Sequence, residues 1–370
     1  MLRWARERAD LTPEQLVKRF PKLGLWERGD SVPTFKQLEN FAKATHTPIG
    51  YLFLTEPPVE QIPIPDFRTM DRRQLARPSL NLLETVFLCQ QRQSWYHEFA
   101  KTHEAPRTFV GSVSRTNSIE KTAQKIREAL GFDLAERAAC PTWAEVLRRF
   151  IAQADALGIL VMCSGVVLNN NTRKLDPHEF RGFAMADDYA PLIFINDADT
   201  KAAQMFTLAH ELVHIWLGQS AVSNVGASDM SDNEVERWCN QVAAELLVPM
   251  KEFAAEIEKT KGSKSDPSAL ARRFKVSTLV ILRRLLDAGK LTRKAFSLAY
   301  EDELRRLTDV PKGSGGDFYL TQATRVSKRF ARALVSSTLE GQTLFRDAFH
   351  MLGISKVATF QELGRSLELR

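Results

Sequence analysis

Residues 207–218 read TLAHELVHIWLG, and this stretch says more about the chain than any other. His210 and His214 stand four positions apart, with Glu211 beside the first. Residues i and i+4 project from the same face of a helix, so both imidazoles can present a nitrogen to one ion. Glu211 lies about 100° further round the helix, close enough to reach a water on that ion. The pattern is the HExxH arrangement and predicts a zinc site with Glu211 as general base.

The competing interpretation is a buried helix that happens to hold two structural histidines. Each histidine would then need a polar partner, and Glu211 would be a third polar group in the same apolar turn. Apart from the motif itself, Thr207 is the one residue between 205 and 217 that is not apolar. Because three buried polar groups are costly without a function, the metal site is favoured. Zinc in such sites activates a water and polarises the scissile carbonyl, while Glu211 moves the proton.

A third ligand is expected, because catalytic zinc usually takes three protein ligands and leaves one position open. The spacing H-x-x-G-x-x-H, which would supply another histidine, is absent. A second helix predicted at 231–248 offers Glu234, Glu236 and Glu245 instead. Glu234 has another explanation, as the capping-box partner of Ser231. Glu236 lies in the early turns of the helix and is the preferred ligand, with Glu245 as the alternative.

The segments before the motif predict a small sheet. ILVMCSGVV at 159–167 is rich in Val and begins after Gly158, which favours a strand, and FRGFAMAD and PLIFIN predict two more strands joined as a hairpin. We expect 191–196 to be an edge strand beside the metal that binds an extended substrate by strand addition, with a fully paired interior strand as the alternative. The candidate substrate-binding residues are Ile193, Phe194, Ile195 and Asn196.

The chain of 370 residues is long for one core and suggests several domains. We predict an α+β fold that is mostly helical, in which a peptidase core with a small sheet lies between helical termini. The predicted domains are a helix-turn-helix-like module at 1–56, a Pro-rich linker at 57–77, a zinc-binding domain with preceding helices at 78–262 and a basic helical region at 263–370.

The positive charge is concentrated at the C-terminal end. Residues 261–370 carry 21 Lys and Arg against 11 Asp and Glu, whereas the whole chain has a net charge of +6. Nucleic acid or an acidic partner would therefore bind mostly there, although a basic helical surface is the alternative. In ALARRFKVSTLVILRRLLDAG, Arg272, Arg273 and Lys275 are candidate DNA contacts, with Arg283 and Arg284 as further phosphate contacts. The apolar spacing of this segment fits a packed helical pair equally well.

Composition also bears on compartment. The four cysteines have no CxxC spacing, which fits reduced thiols in the cytoplasm. The apolar runs are too short to span a bilayer, and the first residues lack the apolar block of a secretory signal. A cytoplasmic protein without a membrane partner is expected.

Two segments, 180–218 and 235–249, resemble the ImmA/IrrE family of metallo-endopeptidases. In that family a helix with HExxH is followed by a helix with E-x-x-(A/C)-N-x-x-A-x-x-L-(L/M)-x-P, which VERWCNQVAAELLVP matches from its Glu onward. The resemblance implies a zinc site of His210, His214 and Glu236, with Glu211 as the base and one ion per chain, for which manganese is an alternative. It also implies cleavage of a partner repressor of the helix-turn-helix type.

The N-terminal residues resemble the lambda-repressor-like (Xre) helix-turn-helix family through LTPEQLVKRF, WERGDSVPT and FKQLENFAKATHTPIGYLF. One departure matters: eight residues separate Val17 from Trp26, where the family usually has about four more, which build the recognition helix. The module therefore either reads DNA through a shortened helix or binds a protein such as a related repressor.

These observations lead to two main hypotheses. The first is a zinc-dependent regulatory endopeptidase that cleaves a transcriptional repressor or antitoxin-like partner. The alternative is a transcription regulator of a toxin–antitoxin or prophage module, in which the metal domain binds or senses rather than cuts. Hydrolysis of a substrate other than a peptide is a third hypothesis. DNA could be a further ligand, and the chain could form a homodimer.

Overall fold

The computed structural model describes residues 1–66, 78–223, 233–259, 266–308 and 318–369. These residues are mostly helical with one small sheet, which confirms the predicted α+β class. The helices are α1 (Leu2–Arg8), α2 (Pro13–Val17), α3 (Leu23–Arg28), α4 (Phe35–Ala44), α5 (Leu80–His103), α6 (Ile119–Leu130), α7 (Leu134–Ala139), α8 (Trp143–Ala156), α9 (Lys201–Leu217), α10 (Glu234–Leu247), α11 (Met250–Lys259), α12 (Pro267–Phe274), α13 (Thr278–Asp287), α14 (Arg293–Thr308), α15 (Phe318–Arg325), α16 (Lys328–Leu339), α17 (Phe345–Leu352) and α18 (Val357–Ser366), with a short 3-10 helix at Ile49–Phe53. The strands are β1 (Leu160–Ser164), β2 (Gly182–Met185), β3 (Leu192–Asn196) and β4 (Ala221–Ser223).

The described residues divide into two compact units. Residues 1–63 and 78–86 form the first unit, and the remaining described residues form the second. The predicted linker falls partly outside the described residues, at 67–77, so the predicted domain boundaries stay predictions. Among the described residues, none of the helices is long and apolar enough to cross a membrane.

The first unit packs its short helices around aromatic side chains. Phe20 lies at the centre, with its ring centroid 6.1 Å from that of Trp26 and 5.5 Å from that of Phe41. Phe41 and Ala42 of α4 are buried, whereas Phe35, the first residue of the helix after the cap at Thr34, is 67% exposed. This unit therefore has a small core of its own.

The sheet of the second unit has the strand order β1-β3-β2-β4. β2 and β3 are antiparallel neighbours, as the predicted hairpin requires, and β1 pairs with the other side of β3 in parallel register. The expectation that 191–196 forms an edge strand is therefore wrong, and the interior-strand alternative holds. Ile193, Phe194 and Ile195 are buried, and the Asn196 side chain donates a hydrogen bond to the Phe180 carbonyl, so none of the four presents a free edge to a substrate.

Helix α9 lies against this sheet and is buried around nearly its whole circumference. Its N-cap is Thr200, whose hydroxyl accepts the Ala203 N–H at 3.2 Å, and it ends at Gly218 in a left-handed conformation. Both ends have residue types that are typical of helix caps. α9 packs against β2 and β3 and against α8 and α10, so its apolar residues belong to the main core. A helix that is apolar all round is stable only in such surroundings.

Helix α10 begins one residue after Asn233, whose side chain caps it by accepting the Val235 N–H at 2.8 Å. The predicted capping box is therefore wrong: Glu234 is the first helical residue rather than the third, and Ser231 lies outside the described residues. The Glu234 side chain is exposed and pairs with Arg115 at 3.0 Å. The predicted stop before Pro249 is confirmed, because α10 ends at Leu247.

Helices α12 and α13 pack into the core of the second unit, as the packed-pair alternative predicts. Arg283 and Arg284 are 5% and 4% exposed and form ion pairs with Asp287, so their expected contact with phosphates is wrong. Arg272 and Arg273 keep exposed side chains, and Arg273 pairs with Glu256 at 2.9 Å. Lys275 follows α12 in a left-handed conformation and caps it.

Candidate metal centre

Three buried side chains from two helices converge on one point. His210 and His214 of α9 place their Nε2 atoms 3.0 Å apart. The carboxylate of Glu236, on α10, lies 3.3 Å from His210 Nε2 through one oxygen and 3.1 Å from His214 Nε2 through the other. Each of the three side chains is at most 3% exposed. These residues are the one cluster of metal-ligating side chains found among the residues that the structure describes.

The donor atoms fit a tetrahedral zinc ion. Zinc bonds of about 2.0–2.2 Å to nitrogen and oxygen place neighbouring ligand atoms about 3.3–3.5 Å apart. The observed separations of 3.0–3.3 Å are only slightly shorter. Two imidazole nitrogens that face each other beside a carboxylate are also difficult to explain without a shared cation, because one proton cannot satisfy all three groups. The chemistry of the set, with two nitrogens and one oxygen, is that of a catalytic zinc site.

The electrostatic environment of the cluster favours the protonation states in which His214 and Glu236 can bind a metal. Burial lowers the pKa of His214, which keeps the imidazole neutral and able to bind a metal. Burial alone would raise the pKa of Glu236, but interactions with the imidazoles of His210 and His214 outweigh it and lower that pKa below its usual range. The carboxylate is therefore ionised between two imidazoles, as a metal ligand must be.

Glu211 is fully buried beside the cluster, on the side of α9 that faces the sheet. A Cβ placed on Gly182 of β2 would lie 3.3 Å from Glu211 Oε1 and only 2.5 Å from Thr207 Cγ2, so glycine leaves the room that this carboxyl occupies. Burial, followed by the nearby charge of Glu236, raises the pKa of Glu211 well above its usual value. The Ser223 hydroxyl lowers it in part, without a well-aligned hydrogen bond. A carboxylate with a raised pKa is a better proton acceptor at neutral pH.

The sequence and the structure agree on which side chains meet. His210, His214 and Glu236 come together as the motifs indicate, with Glu211 beside them. The alternative ligand Glu245 lies at the other end of α10, where it pairs with Arg284. Sequence reasoning missed Gly182 and Ser223, which pair across β2 and β4 next to Glu211. A glycine inside a predicted strand is the signal that could have identified the first, because it marks a close approach.

The comparisons with known proteins agree with this geometry. Residues 154–286, which include both helices of the cluster and β1 to β4, match the family model described as IrrE N-terminal-like domain. Residues 326–366 match a domain of unknown function, DUF8813. No curated protein and no solved structure matches the chain. The match supports a metallopeptidase domain of the ImmA/IrrE type at 154–286, a type that implies a divalent metal, typically zinc.

Proposed function

We propose that this protein is a zinc-dependent endopeptidase that binds its metal through His210, His214 and Glu236. The observation that carries the proposal is the buried convergence of two imidazole nitrogens and one carboxylate within 3.0–3.3 Å, beside a second buried glutamate. The family match over 154–286 supports the same class of reaction. Zinc is the expected ion, and manganese would suit the same three ligands less well.

Zinc bound at this site would supply Lewis acidity, which activates a water molecule and polarises the peptide carbonyl. Glu211 is placed to accept the proton of the attacking water at its carboxylate. It then passes this proton to the nitrogen of the leaving amine, so one residue acts as base and then as acid. The apolar surroundings of α9 exclude other water from the site, which strengthens each of these interactions.

The proposed substrate is a partner protein, of the helix-turn-helix repressor or antitoxin-like class. The support is the resemblance to ImmA/IrrE peptidases, together with an N-terminal unit whose sequence resembles Xre regulators. That unit would recognise either the repressor or its DNA. The proposal places the protein in the cytoplasm, where such repressors act.

Replacing Glu211 by Gln tests this proposal, because the amide keeps the shape of the side chain but accepts no proton. Host cells that express the unmodified chain, Glu211→Gln or Glu252→Gln would be compared by mass spectrometry of new protein N-termini. Glu252 is an exposed glutamate on α11 and serves as the matched control. We expect new N-termini in one DNA-binding regulator, present with the unmodified chain and the control.

Loss of the general base should reduce these cleavage products by roughly 10²–10⁴-fold. Identical N-termini in all three strains would contradict the peptidase proposal. If the Glu211→Gln chain also kept its effect on gene expression, the alternative hypothesis would replace the peptidase proposal. In that hypothesis the protein is a transcription regulator whose metal domain binds or senses rather than cuts.

A further inference from the structure

The outer edge of the sheet is occupied by the chain itself. β4 pairs with β2 on one side only, through Ala221–Ser223. On its other side the Val222 N–H donates a hydrogen bond to the Pro65 carbonyl at 2.9 Å. Asp66 and Val222 form a parallel β-bridge. Residues 64–66, which we call the edge segment, therefore lie along β4 as an extended peptide would in strand addition.

This edge is the one next to the proposed general base. Ser223 directly follows Val222, and its cross-strand partner is Gly182, whose missing side chain leaves room for Glu211. β3, the strand that precedes α9, is paired on both sides and cannot accept a peptide. Among the four strands, β4 thus combines an outer edge with proximity to Glu211.

The edge segment is suited to occupy β4 without strong binding. In Gln-Ile-Pro-Ile-Pro-Asp at 61–66, Pro63 and Pro65 favour an extended backbone and have no N–H to donate. Ile64 is half-buried and Pro65 is exposed, so little apolar surface is covered. One hydrogen bond of this kind adds little net stability, because it replaces a hydrogen bond to water. A peptide with more N–H groups and better side-chain contacts could displace the segment.

We propose that the β4 edge binds the main chain of the protein substrate, and that residues 64–66 occupy this edge in the resting protein as a built-in competitor. The inference rests on the proposed peptidase function and adds to it the substrate-binding strand and a segment that competes with the substrate. The competing explanation is that the segment only protects an exposed strand edge, as prolines often do. That explanation predicts no binding of an added peptide.

Peptide binding tests the proposal without requiring catalysis. A fluorescein-labelled peptide with the sequence of residues 61–66 would be titrated into the full Glu211→Gln chain and into the same chain with Ile64→Gly, Pro65→Gly and Asp66→Gly. If the segment occupies the edge most of the time, the triple change should lower the apparent Kd at least about tenfold. Adding Val222→Pro removes the N–H donor of β4 and should abolish binding. Equal or absent binding in all three chains would overturn the proposal.

Hydrogen exchange at the Val222 amide checks that the triple change acts locally. We expect faster exchange at this amide and unchanged protection in α9 and α10. A general loss of protection together with absent peptide binding would assign the segment a structural role and overturn the proposal.

A cleavage assay separates this proposal from the proposed function. With Glu211 intact and zinc added, the triple change should increase hydrolysis of β-casein, an unfolded general substrate, about tenfold. Peptide binding as expected without casein hydrolysis by any chain would support the edge assignment and count against the peptidase. Hydrolysis at equal rates with and without the triple change would support the peptidase and overturn the built-in competitor.

Discussion

Two buried glutamates on one helix, nine positions apart, have opposite surroundings. Glu236, in the first turn of α10, faces the Nε2 atoms of His210 and His214. Glu245, in the last turn, forms an ion pair with Arg284 and accepts the Met250 N–H at 3.2 Å. Both are under 10% exposed, so burial does not distinguish them.

The partners distinguish them instead. At the Glu245 end, permanent cations and backbone donors compensate the carboxylate, and Arg127 donates to the carbonyls of Glu245 and Leu246. At the Glu236 end, the neighbours are the imidazoles of His210 and His214, and both oxygens of Glu211 lack a hydrogen-bond partner among the described residues. Buried polar atoms without partners are costly in a stable core, so they indicate a function. A buried acid with a complete set of partners indicates structure.

The largest effect should come from Glu236→Ala, which removes one of the three proposed ligands. We expect zinc content to fall from about one ion per chain to almost none after dialysis. The affinity should fall more than roughly 100-fold, since loss of an outer partner alone costs 10–100-fold. Elemental analysis and titration against a chelating dye would measure both. Glu245→Ala is the matched control, and an equal loss of zinc there would remove the distinction between the two glutamates.

The cluster of His210, His214 and Glu236 could be predicted because each of its two helices carries a short sequence motif. Helical periodicity fixes the relation of His210 to His214, and the second motif places Glu236 early in its own helix. The helix limits at Thr200 and Gly218 follow from capping chemistry for the same reason. The preference for Glu236 over Glu245 came from its position in the early turns of the helix, and the family motif supported it. The Arg284 partner that makes Glu245 structural is 39 positions away in sequence.

The strand order could not be predicted in this way. Whether β3 is interior or at an edge depends on whether β1 pairs with it, and that pairing joins residues about thirty positions apart. PLIFIN has a continuous apolar run at 192–195, which predicts a strand buried on both faces but does not predict whether both of its edges are paired. The pairing of residue 65 with Val222 is still more distant in sequence, so the proposed peptide edge emerged only from the fold.

The next effect concerns stability. Glu245→Ala leaves Arg284, whose side chain is 5% exposed, with Asp287 as its remaining acidic partner. Breaking a buried pair from one side typically costs 3–5 kcal/mol. Because Asp287 compensates in part, we expect a decrease of about 3 kcal/mol in the free energy of unfolding. Urea denaturation would measure it, with the exposed Glu252→Ala as control. A loss no greater than that of the control would show that the ion pair is not structural.

Removal of the metal should lower the stability by a comparable amount, which depends on the zinc concentration relative to the Kd. A ligand that binds only the folded state stabilises it by about 2.7 kcal/mol at a hundredfold excess over its Kd. We therefore expect added zinc to raise the Tm of the chain and a chelator to reverse the change, as measured by calorimetry. Glu236→Ala should show no such response, whereas Glu245→Ala should keep it. A zinc response that persists in Glu236→Ala would place the metal elsewhere.

The smallest effect is expected at the other end of α10, from Arg127→Met. This change removes two hydrogen bonds, of 3.1 and 3.3 Å, from the Arg127 guanidinium to the last carbonyls of the helix, while the apolar stem keeps its packing. Burial already lowers the pKa of Arg127, so loss of the charge relieves part of the cost of desolvation. We expect a net loss of about 1 kcal/mol in urea denaturation and an unchanged zinc affinity. A tenfold weaker zinc affinity would mean that the C-terminal end of α10 helps to position Glu236 through the helix. The two ends of α10 would then be coupled.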